Sequence, residues 1–338
     1  MTAAALPLAL TMGEPAGIGG EITLNAWAGR SDGTAPFFVI DDPGRLADLS
    51  RRIGVMTAIK IIRSPSEARA VFPNALPVLG TALPVEAVPG KPDPANAQAV
   101  LSSIETAVRL VMSGDAGAVV TNPIHKQTLY AANFQYPGHT EYLAALAGDD
   151  ITPVMMLAAG GFRVVPVTVH QSLAEALGSL NTGTITQAGL ITHAALKQDF
   201  GLPHPRIAVA GLNPHAGEGG AMGSEEDQII APAVSALTEV GIDAFGPIAP
   251  DTLFTPQARD SYDAALCMYH DQALIPIKTV AFETAVNVTM GLPFVRTSPD
   301  HGTAFDIAGT GQASETSLLA ALDMAAGMVR YRATAQAA

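Results

Sequence analysis

Residues 264–278 read AALCMYHDQALIPIK. The apolar run 264–269 has the length of a buried strand and stops abruptly at His270-Asp271-Gln272. A basic residue, Lys278, follows eight positions after the histidine. An α/β enzyme places imidazole and charge at the end of a hydrophobic strand, because the strand is rigid and its carboxyl end faces the ligand. Working outward, two more histidines stand in the same kind of place. His170 ends FRVVPVTVH and His215 follows RIAVAGLNP, so the three are spaced 45 and 55 residues apart. A lone strand-end histidine is more often an ordinary hydrogen-bonded residue. Three in equivalent places, without thiolates, suit zinc, and would also hold cobalt, manganese, iron or nickel. Three protein ligands leave open positions for a substrate. The spacing is not a compact zincin motif. Asp271 and Asp251 are candidate supporting acids or general bases; the structural alternative for each is a turn or helix cap.

The composition sets the frame. The 338 residues suffice for two domains or one large one, and 48% hydrophobic against 14% charged residues allows a large buried core. A net charge of −13 opposes nucleic acid or an anionic membrane as partner, since both need a basic footprint. An anionic substrate must then be held by a local basic cluster. The single cysteine, Cys267, lies in an apolar run; it excludes an internal disulfide and a cysteine-based zinc site and reads as a small buried hydrophobe. The N-terminal MTAAALPLALTMG has no basic n-region and reads as a first strand rather than a signal peptide. With no run of about 20 apolar residues, a cytoplasmic protein is expected.

Apolar strand-like runs at 7–12, 37–40, 59–62, 117–120, 206–212 and 286–290 alternate with helical patterns at 21–28, 42–52, 95–112, 184–200 and 315–331. That alternation indicates an α/β fold with a largely parallel sheet. Runs at 153–157 and 162–169, joined by Gly160-Gly161, predict an antiparallel hairpin of the kind that marks a second domain. The turn GEPAGIGGE can offer backbone N–H groups to an anion, or be merely tight; it is neither G-x-G-x-x-G nor a P-loop. In YPGHTEY, Pro137-Gly138 force a turn, and His139 and Thr140 open a helix, where free N–H groups and the dipole suit a phosphate. Lys278, Asn287 and Arg296 near strand ends add polar and basic groups for the same anion. The loop HGTAFDIAGTG can wrap a nucleotide, because its glycines permit close backbone approach.

TMGEPAGIGGE, PGHTEY, NPHAGEGG with the following GSEE, GPIAPDTLF, YHDQALIPIK and NVTMGLPFVRTSPDHGTAFDIAGTG, in that order, together resemble the 4-hydroxythreonine-4-phosphate dehydrogenase family of vitamin B6 biosynthesis. The resemblance covers almost the whole chain. It implies a two-domain α/β/α sandwich similar to isocitrate and isopropylmalate dehydrogenases, with the active site in the interdomain cleft. The expected division is 1–125 plus 280–338 as the outer domain with the nucleotide loop, and 126–279 as the inner domain with metal ligands and dimer interface. His170, His215 and His270 match the divalent-metal ligands (zinc, magnesium, cobalt or manganese). His139, Thr140, Lys278, Asn287 and Arg296 match the substrate-binding residues. His301, Gly302, Asp306 and Ile307 fall in a loop that looks like the adenosine-binding loop of those enzymes. There Asp306 would bind ribose hydroxyls, favouring NAD over NADP. The family is homodimeric with shared active sites, which implies that one of these histidines serves the neighbouring site. Two positions depart from the family: Glu14 stands where Asp is usual and Gly20 where Pro is usual.

The resemblance implies oxidation of 4-phosphohydroxythreonine at C3, with Asp251, Asp271 or Lys278 as the base, and decarboxylation of the resulting β-keto acid to 3-amino-2-oxopropyl phosphate. A paralogous dehydrogenase of threonate or erythronate 4-phosphate would share the same residues. A metallohydrolase would leave the HGTAFDIAG loop without a role.

Overall fold

The computed structural model describes residues 6–337; the first five residues of the predicted N-terminal strand segment, and Ala338, lie outside the described residues. The chain divides into two compact units. One holds the described residues up to Pro153 with Leu292–Arg330, and the other holds Val154–Gly291 and the residues from Tyr331 on. The division differs from the expected one. Residues 126–153 pack with the first unit and 280–291 with the second. The break falls at the start of the predicted hairpin, where strand direction changes.

The first unit is built on a parallel sheet. Its strands are β1 (Leu8–Thr11), β2 (Phe37–Asp41), β3 (Ile59–Ile62), β4 (Leu76–Gly80) and β5 (Ala118–Val120). They run in the order β3-β4-β2-β1-β5, all parallel. Strands β1 and β2 are buried along their whole length, as expected of a parallel sheet covered on both faces. The crossover helices start where local chemistry dictates. Asp42 accepts hydrogen bonds from the N–H groups of Gly44 and Arg45 and caps helix Pro43–Ile53, which ends on left-handed Gly54. Helix Ala97–Met112 lays Val100, Ile104 and Val108 on the core that Met12, Phe38 and Ile40 complete.

The second unit contains β6 (Val154–Ala159), β7 (Phe162–Pro166), β8 (Arg206–Ala210), β9 (Asp243–Ile248), β10 (Ala264–Cys267) and β11 (Val286–Met290). Strands β6 and β7 form the predicted antiparallel hairpin, and β11 is antiparallel to β6. Beyond the hairpin, β7, β10, β8 and β9 are parallel neighbours in that order. Its core gathers Leu157, Val164, Ala208, Ala265 and Ile277. Cys267 is fully buried there, and burial raises its thiol pKa, so it behaves as the expected small hydrophobe. The last strand in sequence, β12 (Val295–Pro299), belongs to the first unit and pairs in parallel with β5. Among the described residues, no helix is long and apolar enough to cross a membrane.

Candidate active site

Three neighbouring parallel strands deliver the three histidines. Each leads out of its carboxyl end: β7 to His170, β10 to His270 and β8 to His215. Their ends are tied together. The Val167 N–H donates to the Cys267 carbonyl and the Thr168 hydroxyl to the Met268 carbonyl, joining β7 to β10. The buried Gln272 side chain accepts from the Met268 N–H at 2.6 Å and donates to the Gly211 carbonyl at 2.8 Å, joining β10 to β8.

The imidazoles of His170 and His270 lie 6.2 Å apart, centroid to centroid. They line one depression of ≈ 360 Å³ with Thr168, Gln171 and Tyr269. His170 has a left-handed backbone (φ 50), after which Ser172 and Glu175 form a capping box that starts helix Leu173–Ser179. His270 is the first residue of helix His270–Ala281. Its Nδ1 stands 2.7 Å from Asp271 Oδ1. An ionised carboxylate only accepts, so this contact puts the proton on Nδ1 and leaves the Nε2 lone pair for a ligand. Two imidazoles facing one depression, with no thiolate, are a donor set suited to a borderline divalent ion. Among the described residues, no group of three or more His, Cys, Asp or Glu side chains is gathered closely enough to hold a metal ion.

His215 opens a stretch of left-handed backbone. His215, Ala216, Gly217, Glu218 and Gly219 have φ between 42° and 75°. For each non-glycine residue this costs about 1–2 kcal/mol, so the stretch must be held by its surroundings. Glu226, only 3% exposed, accepts hydrogen bonds from the N–H groups of Leu212 and Asn213 and from the Asn213 side chain. Burial disfavours its charge, yet these hydrogen bonds outweigh it and hold the carboxyl below its ordinary range. Asp251 is exposed on the short helix Pro250–Leu253 after β9, the strand beside β8. Lys278 is half-buried two turns along from His270, on a face shared with Leu274. Asn287 sits on β11, its Oδ1 buried without a hydrogen-bond partner.

A second cluster forms in the first unit. Helix His139–Ala147 begins at the predicted residue, but its N-cap is Gly138, with no side-chain capping bond, so Thr140 is not used as a cap. The His139 Nε2 atom is buried and has no partner. Arg296, on β12, is 3% exposed and donates to the Thr121 hydroxyl at 2.7 Å. Burial lowers its pKa to about 10, with Glu141 pulling the other way. Burial first, then the charges of Arg296 and Lys126, pushes the His139 pKa well below 6.5. A neutral histidine with an unused buried nitrogen, next to a buried guanidinium at a helix N-terminus, is an arrangement that awaits an anion. Lys126 was missed in the sequence; the signal for it is proximity, with Nζ 3.3 Å from where a Gly138 Cβ would stand.

Several N–H groups of the GEPAGIGGE turn are spent within the protein. Ile18 N–H donates to the Thr303 carbonyl and Gly17 N–H to the Glu14 carbonyl. A Cβ at Gly17 would lie 2.9 Å from the Thr303 oxygen. Fully buried Glu21 accepts from the N–H groups of Gly309 and Ala313. The turn and the helix after it therefore brace the HGTAFDIAGTG loop. At Gly20 a Cβ would stand 2.9 Å from Leu49 and 3.0 Å from an Arg45 nitrogen, so this chain packs the Arg45 guanidinium at that position. On the braced loop, Asp306 is exposed, His301 and Ile307 are half-buried, and Gly302 has open space where a side chain would project. Phe305 stands edge-on to His125 at 4.9 Å.

Residues 34–325 match the family described as pyridoxal phosphate biosynthetic protein PdxA. The chain belongs to the PdxA family. A Bradyrhizobium diazoefficiens relative named 4-hydroxythreonine-4-phosphate dehydrogenase is 54% identical, across 96% of this chain and 97% of its own. The crystal structure of the Klebsiella pneumoniae enzyme of that name covers 97% of this chain and 99% of its own at 37% identity, with a TM-score of 0.88. A terephthalate 1,2-cis-dihydrodiol dehydrogenase from Burkholderia xenovorans LB400 is less similar, at 31% identity and a TM-score of 0.65 over 96% of this chain and 98% of its own. The PdxA match and these alignments span both units.

Proposed function

We propose that this protein is a dehydrogenase that oxidises 4-phosphohydroxythreonine at its C3 hydroxyl, in the biosynthesis of pyridoxal 5′-phosphate. The observation that carries the reading is the 54% identity, over nearly the full length of both chains, with a relative named for that activity. The product is a β-keto acid, which loses CO₂ to give 3-amino-2-oxopropyl phosphate. The His139 Nε2, the Thr140 hydroxyl and the Arg296 guanidinium hold the phosphate. Lys278 and Asn287 are further candidates for substrate contact. Asp271 orients His270, and Asp251, Asp271 and Lys278 are the candidates for taking the hydroxyl proton. His170, His215 and His270 would hold a divalent ion, zinc, magnesium, cobalt or manganese, which when bound lowers the pKa of a coordinated hydroxyl. His301, Gly302, Asp306 and Ile307 would hold the adenosine of NAD, which when bound would supply the hydride acceptor; the exposed Asp306 carboxylate would favour the ribose hydroxyls of NAD over the extra phosphate of NADP. The enzyme works as a homodimer. Ile275 and Phe282, 65% and 75% exposed on the helix that His270 opens and at its far end, are apolar surface of the kind a second copy covers.

Absorbance at 340 nm with each nucleotide, each divalent metal and each four-carbon phosphate tests this reading. NADH forms fastest from 4-phosphohydroxythreonine, and chelation abolishes the signal. Preferred turnover of threonate or erythronate 4-phosphate would reassign the substrate.

A further inference from the structure

His215 leaves β8 on a left-handed path that its own residues do not favour, and one buried carboxylate stands against that path. We infer that Glu226 is the positioning residue of His215: its carboxylate clamps residues 212–213 so that the loop turns left-handed and fixes where His215 leaves the carboxyl end of β8, the strand paired with β10. The inference rests on the reading of His215 as a metal ligand.

The clamp is built from both oxygens. Oε1 accepts from the N–H groups of Leu212 at 2.8 Å and Asn213 at 2.7 Å, and Oε2 accepts from Asn213 Nδ2 at 2.9 Å. All three donors are neutral, so the carboxylate serves as an acceptor of hydrogen bonds rather than as half of an ion pair. Asn213 Nδ2 also donates to Glu225 Oε2 at 2.8 Å, which fixes the amide that Glu226 grips. The glycines follow from this arrangement. A Cβ at Gly217 would stand 2.7 Å from Glu226 Oε2, and one at Gly223 would stand 2.3 Å from Asn213 Nδ2 and 2.7 Å from Glu225 Oε2. Glu226 also opens a single wide π-type turn, Glu226–Ile230, a local form frequent at functional positions. At the loop's margins, Ala216 N–H donates to the Asn213 carbonyl, Ala221 N–H to the Glu218 carbonyl and Met222 N–H to the Gly217 carbonyl. The neighbouring residue Gly211 accepts from Gln272, so the clamped segment abuts the tie to the His270 helix.

Direct titration of the metal-free full chain with Co²⁺, followed by calorimetry and by the visible absorption of the bound ion, tests the inference. Glu226→Gln keeps one acceptor oxygen and the side-chain volume. It lowers Co²⁺ affinity by about tenfold or more and changes the absorption spectrum, while circular dichroism and melting remain those of a folded protein. Adding Glu226→Gln to His215→Ala costs no further affinity, because a positioning residue acts through the residue it positions. Additive losses in that double variant overturn the inference, as does wild-type Co²⁺ affinity in Glu226→Gln when His215→Ala alone has lost it. Wild-type affinity in His215→Ala instead overturns the metal-ligand reading beneath it. If Glu226→Gln does not fold, Asn213→Ala, which removes one leg of the clamp and leaves the carboxylate, is read against the same outcomes.

Discussion

His139 shows how the fold sets the chemistry of a single side chain. Its ring is kept neutral by burial and by the charges of Arg296 and Lys126. A histidine whose folded pKa lies below its unfolded value costs nothing above pH 6.5. As pH falls below that value the unfolded chain takes up a proton that the folded one refuses, so stability is lost towards the lower folded pKa. Replacing His139 with Asn is expected to flatten the decline of melting temperature between pH 6.5 and 5, measured by differential scanning calorimetry. An equally steep decline in the variant would rule out His139 as its source. A bound phosphate reverses the preference, because a dianion favours the protonated ring. The sequence marked His139 and Thr140 as the start of a helix, since Pro137-Gly138 punctuates the chain there. It grouped Arg296, more than 150 residues away, with them around one anion, but held no sign of its burial against Thr121, which depends on β12 pairing with β5.

At the scale of elements, a side-chain bracket ties together two of the strand ends that carry the candidate metal ligands. Gln272 replaces a backbone ladder where β10 and β8 diverge, with one bond to each strand end. Gln272→Leu keeps the volume but leaves a buried N–H and a buried carbonyl without partners. A loss of about 1–3 kcal/mol is expected in urea unfolding, together with weaker Co²⁺ binding. A variant as stable as the parent would mean that water takes over both bonds. Most strands were legible as short apolar runs bounded by glycine, proline or asparagine, and the hairpin as two runs around Gly160-Gly161. Strands β4 and β9 were not foreseen. Pro77 interrupts the pattern of the first, and exposed, proline-containing edge residues that of the second. The short helix after His170 was also missed, although the Ser172–Glu175 capping box is its signature.

Across the whole molecule, all three candidate metal ligands belong to one unit. A ligand bound only by the folded state adds about 2.7 kcal/mol at a hundredfold excess over its Kd. Zinc or cobalt should therefore raise the calorimetric transition of the protein, a chelator should reverse the shift, and His170→Ala should show none. Identical scans with and without metal would refute the site. The placement of residues 126–153 with the first unit, against the expected boundary, follows from packing. Leu129, Phe134, Tyr142 and Leu143 bury their side chains in that unit's core, and no local pattern states which of two cores an apolar helix will join. The sequence by itself determined the α/β class, the strand-end histidines and the family resemblance, because strand length, punctuation and motif spacing are local properties. The tertiary structure alone decided that β7, β10 and β8 lie side by side, that Arg296 is buried against Thr121, and that Glu226 grips the loop of His215. Those relations join residues distant in the chain through sheet order and burial, which only the packed whole specifies. The stretch 264–278 therefore announced its histidine, while the strands beside it made that histidine part of a site.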